Sequence, residues 1–169
     1  MARTGWEIAF SRDCQLAVIL NQRVLKTANA GVQRENTLVV WKVDGEKEVA
    51  RLPLGKYLNP EAIAFSYVEP RAVAFSSDNR QLLVGTNNQT IQVWDLSRRE
   101  IVRTISTLLD EKLDVKTEMK YFFSPDCTLV LAVGTKVRDN NELYINVCNV
   151  VTGKVEHSLG GARKGDQQP

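Results

Sequence analysis

Arg71-Ala-Val-Ala-Phe75-Ser-Ser-Asp78-Asn-Arg-Gln-Leu-Leu-Val-Gly85 decides how this chain is read. A short apolar run ends in Phe75-Ser76, a polar pair ends in Asp78, and a second apolar run follows. Asp with Ser or Asn neighbours hydrogen-bonds its own backbone and closes a tight turn. The flanking Val, Leu and Phe suit strands, and their near-continuous apolarity predicts burial on both faces of a sheet. The stretch therefore predicts a β-hairpin. Thr90-Ile-Gln-Val-Trp94-Asp-Leu96 supplies a third strand, Ser97-Arg98-Arg99 a turn, and residues 100–105 a fourth strand.

The same unit occurs twice more. Trp6-Glu-Ile-Ala-Phe10-Ser-Arg-Asp13 leads into an apolar run up to Leu20, and Lys120-Tyr-Phe-Phe123-Ser-Pro-Asp126 leads into one up to Gly134. Each is followed by a third strand (Thr37 to Val43, with Trp41; Leu143 to Val150, with Cys148), a turn, and a fourth strand (48–54; 155–159). A unit recurring at a fixed pattern of this kind marks a repeat architecture. The predicted fold is all-β, with three four-stranded antiparallel units at about 5–54, 71–105 and 119–159 in a single domain spanning 1–169. Phe10, Phe75, Phe123, Trp41 and Trp94 are expected in the core, since they recur at equivalent positions.

The second unit, with Phe75-Ser-x-Asp78 opening it and Val93-Trp94-Asp95 closing its third strand, resembles a WD repeat. The first resembles it through Trp41-Lys42 and the third through Cys148-Asn149. The resemblance implies β-propeller blades and a non-catalytic protein–protein interaction scaffold. The chain departs from that pattern in having no Gly-His pair before any repeat and in carrying Asn87-Asn88 in the loop where Asp is usual. Propellers close with about four to eight blades. Three blades are therefore expected not to close a ring alone, and either self-association, a larger assembly or a longer propeller would complete it.

Composition agrees with a globular protein and narrows the chemistry. Of 169 residues, 43% are hydrophobic and 25% charged, enough to bury a core, and the net charge of +2 forms no basic stripe suited to nucleic acid. No apolar run approaches the roughly 20 residues that cross a bilayer, and Met1 to Ile8 hold no stretch of the export-signal kind. Three cysteines without a Cys-x-x-Cys spacing argue against a disulfide framework or a zinc site, so a reducing, cytoplasmic setting is expected.

No motif for catalysis emerges. The single histidine, His157, lies in a fourth strand, and no Gly-x-Ser-x-Gly elbow, phosphate loop or dinucleotide fingerprint is present. Asp13, Asp78 and Asp126 occupy one turn position per repeat and read as turn residues, not metal ligands. The expectation is no enzyme, no metal and no cofactor.

The irregular lengths fall on loops. The segment between the second and third strands is long in the first unit (21–36), short in the second (86–89) and intermediate in the third (135–142). Residues 55–70 and 106–118 connect the units, and Ala62 to Ser66 echoes Ala72 to Ser76 as either a decayed strand or a packed loop. In a propeller these segments share one rim, where insertions mark a binding surface. Trp6, Tyr57 and Tyr67 are the aromatic candidates for a partner contact, and Lys26, Arg34, Lys136 and Arg138 its polar part. The alternative is an oligomeric propeller binding a small molecule or glycan, but that design repeats the same pocket residues in every unit, and these loops differ. The tail 160–169 is Gly-rich and polar and is expected to be disordered.

Overall fold

The computed structural model describes residues 8–27, 31–45, 47–58, 70–107, 119–136 and 142–159. Among them every regular element is a strand, arranged as three separate four-stranded antiparallel sheets, none closed into a barrel. The first holds β1 (Ile8–Phe10), β2 (Leu16–Thr27), β3 (Gly31–Lys42) and β4 (Lys47–Leu58). The second holds β5 (Pro70–Phe75), β6 (Gln81–Thr86), β7 (Thr90–Asp95) and β8 (Glu100–Ser106). The third holds β9 (Lys120–Phe123), β10 (Leu129–Lys136), β11 (Glu142–Asn149) and β12 (Lys154–Leu159). Each sheet is an up-and-down meander with its strands in chain order, the arrangement of a propeller blade. The tail 160–169 and the connections 59–69 and 108–118 lie outside the described residues.

The three predicted turns share one hydrogen-bond pattern. Ser11, Ser76 and Ser124 each donate from Oγ to the carboxylate two residues on, Asp13, Asp78 and Asp126, at 2.6, 2.7 and 2.6 Å. The same Oγ accepts the N–H of Leu16, Gln81 and Leu129, while the Asp accepts the N–H of Gln15, Arg80 and Thr128. The residue after each Asp takes a left-handed conformation: Cys14 at φ 57, Asn79 at 58 and Cys127 at 57. That conformation ordinarily costs an L-residue about 1–2 kcal/mol. Here it is fixed by the carboxylate bonds and by a backbone bond from each of these residues to the Ser carbonyl. A second correspondence lies between the third and fourth strands, where the register slips at Val40/Trp41, Val93/Trp94 and Val147/Cys148. A bulge that recurs at the same position of all three sheets is a built-in feature that twists the outer strand; further slips lie at Asn36/Thr37 and Pro70/Ala72.

The sheets pack face to face in sequence. Val18, Leu38, Val40, Ala50 and Leu52 of the first meet Phe75, Leu82, Val84 and Trp94 of the second. Leu83, Ile91, Val93 and Ile105, on the other face of the second, meet Tyr121, Val130, Ala132 and Cys148 of the third. The middle blade is thus covered on both faces, as its unbroken apolar strands require. The innermost strands β1, β5 and β9 lie side by side. Polar contacts cross both interfaces: Asn79 Nδ2 donates to Asp13 Oδ2 at 2.8 Å, and Cys127 Sγ to the Phe75 carbonyl at 2.9 Å. Tyr121 rests on Gly85, where a Cβ would lie 2.4 Å from its ring, and its hydroxyl donates to the Thr86 carbonyl.

Two expectations about the core need correction. Phe75 is buried and Phe123 half-buried, but Phe10 is 59% exposed. Trp94 is 4% exposed whereas Trp41 is only half-buried. The positions are equivalent, but this face of a blade is buried by the blade before it. Among the described residues, nothing of that kind precedes the first sheet.

Candidate functional site

The segment 21–36, expected as a long loop, is a continuation of the sheet. β2 and β3 pair without interruption from Leu16 opposite Lys42 to Thr27 opposite Gly31, and β4 follows as far as Leu58 opposite Gln33. β2, β3 and β4 have 12 residues each, against six in β6 and β7 of the middle blade. From the Asn21–Thr37 pair to the tip, the extra pairing projects about 20 Å at roughly 3.3 Å per residue. It forms a three-stranded ribbon on the rim to which the second strands run. Where the ribbon leaves the blade, Asn21, Gln22 and Arg23 are exposed in the strand, which suits their polar character.

Three predicted site residues fall on this ribbon. Arg34 of β3 stands directly opposite Tyr57 of β4, and across the other side opposite Val24 of β2; Lys26 follows two positions further along β2. Lys136 ends β10 opposite Glu142, on the same rim but in the third blade. Trp6, Tyr67 and Arg138 lie outside the described residues. The register therefore places Lys26, Arg34 and Tyr57 at neighbouring positions of one ribbon and Lys136 in another blade.

A layer of buried polar groups lies where the ribbon and rim join the blades. Asn36 is fully buried and its Oδ1 accepts from Gln22 Nε2 at 3.2 Å. In the second blade Thr86 and Thr90 share a 2.8 Å hydroxyl contact, and Thr107 Oγ1 donates to the Gln89 carbonyl at 2.7 Å. Asn146 of the third blade donates from Nδ2 to the Thr107 carbonyl at 2.6 Å. These bonds replace water for groups that would otherwise be costly to bury, and they fix the rim. The Trp94 indole N–H donates to Gln92 Oε1 at 3.2 Å, a partner on its own strand.

The titratable groups divide by environment. The turn carboxylates are held below the ordinary range, Asp13 and Asp78 chiefly by their Ser hydroxyls, and Asp126 down to about 2 by Ser124, the Thr128 amide and the Thr128 hydroxyl. Burial raises Tyr121, raises Tyr144 to about 12 and Cys148 to about 11, so these stay protonated near neutrality. Cys14, Cys127 and Cys148 are free thiols. His157 is exposed on β12, opposite Val147. Among the described residues no group of three or more His, Cys, Asp or Glu is placed to hold a metal ion, and no helix is long and apolar enough to cross a membrane.

The sequence reading missed the exposed apolar side chains on the end blades. Ile8 and Phe10 lie on the outward face of the first, and Phe122 and Leu159 on the outward face of the third. Strand alternation already separates Phe122 from Phe123, and that was the available signal. No protein-family model and no curated protein matches this chain.

Proposed function

We propose that this chain is a WD-repeat-like propeller segment acting as a non-catalytic protein-interaction scaffold, which grips a partner protein through the first-blade ribbon and the adjoining rim. The ribbon carries the proposal. It is the one large departure from the repeat among the described elements, it projects from the rim, and its register sets Tyr57 opposite Arg34, with Lys26 two positions along from Val24, the other partner of Arg34. Aromatic and Arg side chains are enriched at interaction hot spots. A paired ribbon also loses less conformational entropy on binding than a loop of equal length, which favours tight contact.

The proposal is tested with a variant in which residues 22–36 are replaced by Asn-Gly, a two-residue hairpin turn joining Asn21 to Thr37. The wild type and this variant serve as baits in quantitative affinity capture, with circular dichroism to verify the retained β structure. A partner set held by the wild type and lost from the variant supports the scaffold reading. Equal capture by both, or no capture by the wild type, overturns it.

A further inference from the structure

The three blades repeat one interface, and among the described residues nothing covers its two halves at the ends of the array. Toward the first blade, the second presents Phe75, Leu82, Val84 and Trp94. The register places Phe10, Ala17, Ile19 and Trp41 at the equivalent positions of the first blade, on its outward face. Toward the third blade, the second presents Leu83, Ile91, Val93 and Ile105, all 3% exposed or less. Their equivalents in the third blade are Leu131, Ile145, Val147 and Leu159, again on its outward face with Phe122. There Phe122 and Leu159 are 57% and 58% exposed and the other three half-buried.

We infer that a second copy of this chain covers both faces, the third blade of each copy packing head to tail on the first blade of the other to close a six-bladed ring. The occupant is argued from continuity with the internal interfaces: one open face has the pattern that the other face binds twice within the chain. Polar groups extend the match. Arg103 donates from Nη1 to the carbonyls of Val150 and Val151 in the next blade, and His157 holds the equivalent position on the third blade. Ring closure sets His157 against Val43 and Asp44 of the other copy, which occupy the same turn. Asn79 and Cys127 each reach back to the preceding blade, and closure gives the exposed Cys14 the same role toward Phe123 and Asp126. Six blades fall within the number that closes propellers, and a twofold ring is the commonest closed symmetry.

Light scattering coupled to gel filtration tests the inference on the whole chain at micromolar concentration. The expected wild-type mass is twice the 19.0 kDa of one chain. Phe10→Arg alters one face and Leu159→Arg the other, both at exposed positions; each variant alone is expected to run as a monomer with an unchanged circular dichroism spectrum. Ile8→Arg and Phe122→Arg serve as second variants for the same two faces. An equimolar mixture of Phe10→Arg and Leu159→Arg retains one intact interface and is expected to recover a mixed dimer. A wild-type monomer, an open-ended polymer, or a dimer broken by variants of only one face overturns the inference. A wild-type monomer is also the result if other blades or another protein cover these faces. Shortening the ribbon leaves the expected dimeric state unchanged, so this inference and the scaffold reading fail separately.

Discussion

Replacing Gly85 by Ala probes the interface between the second and third blades at its closest approach. The added Cβ would lie 2.4 Å from Tyr121 Cδ2 and 2.5 Å from Cγ, where carbon atoms pack comfortably at about 3.5–4.0 Å. The ring must retreat by about 1 Å, yet it is 6% exposed and tied by its hydroxyl to the Thr86 carbonyl at 2.7 Å. Overpacking of this kind costs about 1–3 kcal/mol, and loss of the tyrosine hydrogen bond adds about 1 kcal/mol. Reduced freedom of the unfolded chain returns about 0.5 kcal/mol, leaving a net destabilisation of about 1.5–3.5 kcal/mol. Tyr121→Ala alone is expected to cost about 3–5 kcal/mol through its cavity. In the double variant the new methyl occupies vacated space, so the pair should cost no more than Tyr121→Ala alone. Urea unfolding followed by tryptophan fluorescence at one fixed protein concentration gives all four free energies of this cycle. Additivity of the two single changes within about 0.5 kcal/mol would falsify the contact as the cause.

Two further outcomes follow from the fold. In the Phe10→Arg background, expected to be monomeric, Trp94→Ala should destabilise by about 3–5 kcal/mol, whereas His157→Ala on the exposed strand should cost about 0.5 kcal/mol or less; reversed urea midpoints would refute the assignment of core and surface. Because Asp126 titrates at about 2 in the fold and near 3.9 unfolded, its contribution is complete above about pH 4 and is lost as pH falls toward 2. Asp126→Asn should therefore flatten the acid limb of a stability–pH curve between pH 4 and pH 2, and curves parallel to the wild type would count against the Ser124–Asp126 bond as the source.

The turns were legible because their determinants are local. Ser76, Asp78 and Gln81 hydrogen-bond within five residues of one another, so the sequence window that encodes the turn also contains its partners. Trp94 and Phe75 were legible as core for the same reason that Trp41 and Phe10 were misplaced. A repeat position states what a side chain is shaped to meet, while its burial depends on whether a neighbouring blade is present. The ribbon was read as a loop because Asn21, Gln22, Arg23, Glu35 and Asn36 have loop composition. Register is weakly specified where polar residues stand in place of an apolar alternation, so this pairing leaves little trace in the pattern. Of the seven candidate contact residues, register alone brought Lys26, Arg34 and Tyr57 together, and register between strands β3 and β4 is not visible in a linear reading.

The double coverage of the middle blade has a consequence for how the molecule comes apart. In a linear array each unit is stabilised by its own hydrogen bonds and by contacts with its immediate neighbours. Among the described residues the second blade has two such neighbours and each end blade has one, so opening should begin at the ends and reach β6 and β7 last. Amide protons of Leu83, Val84 and Val93 would then mark the slowest-exchanging region, with β1 and β12 the fastest. Joining the ends into a ring would give every blade two neighbours, and this graded fraying would be replaced by a single cooperative opening.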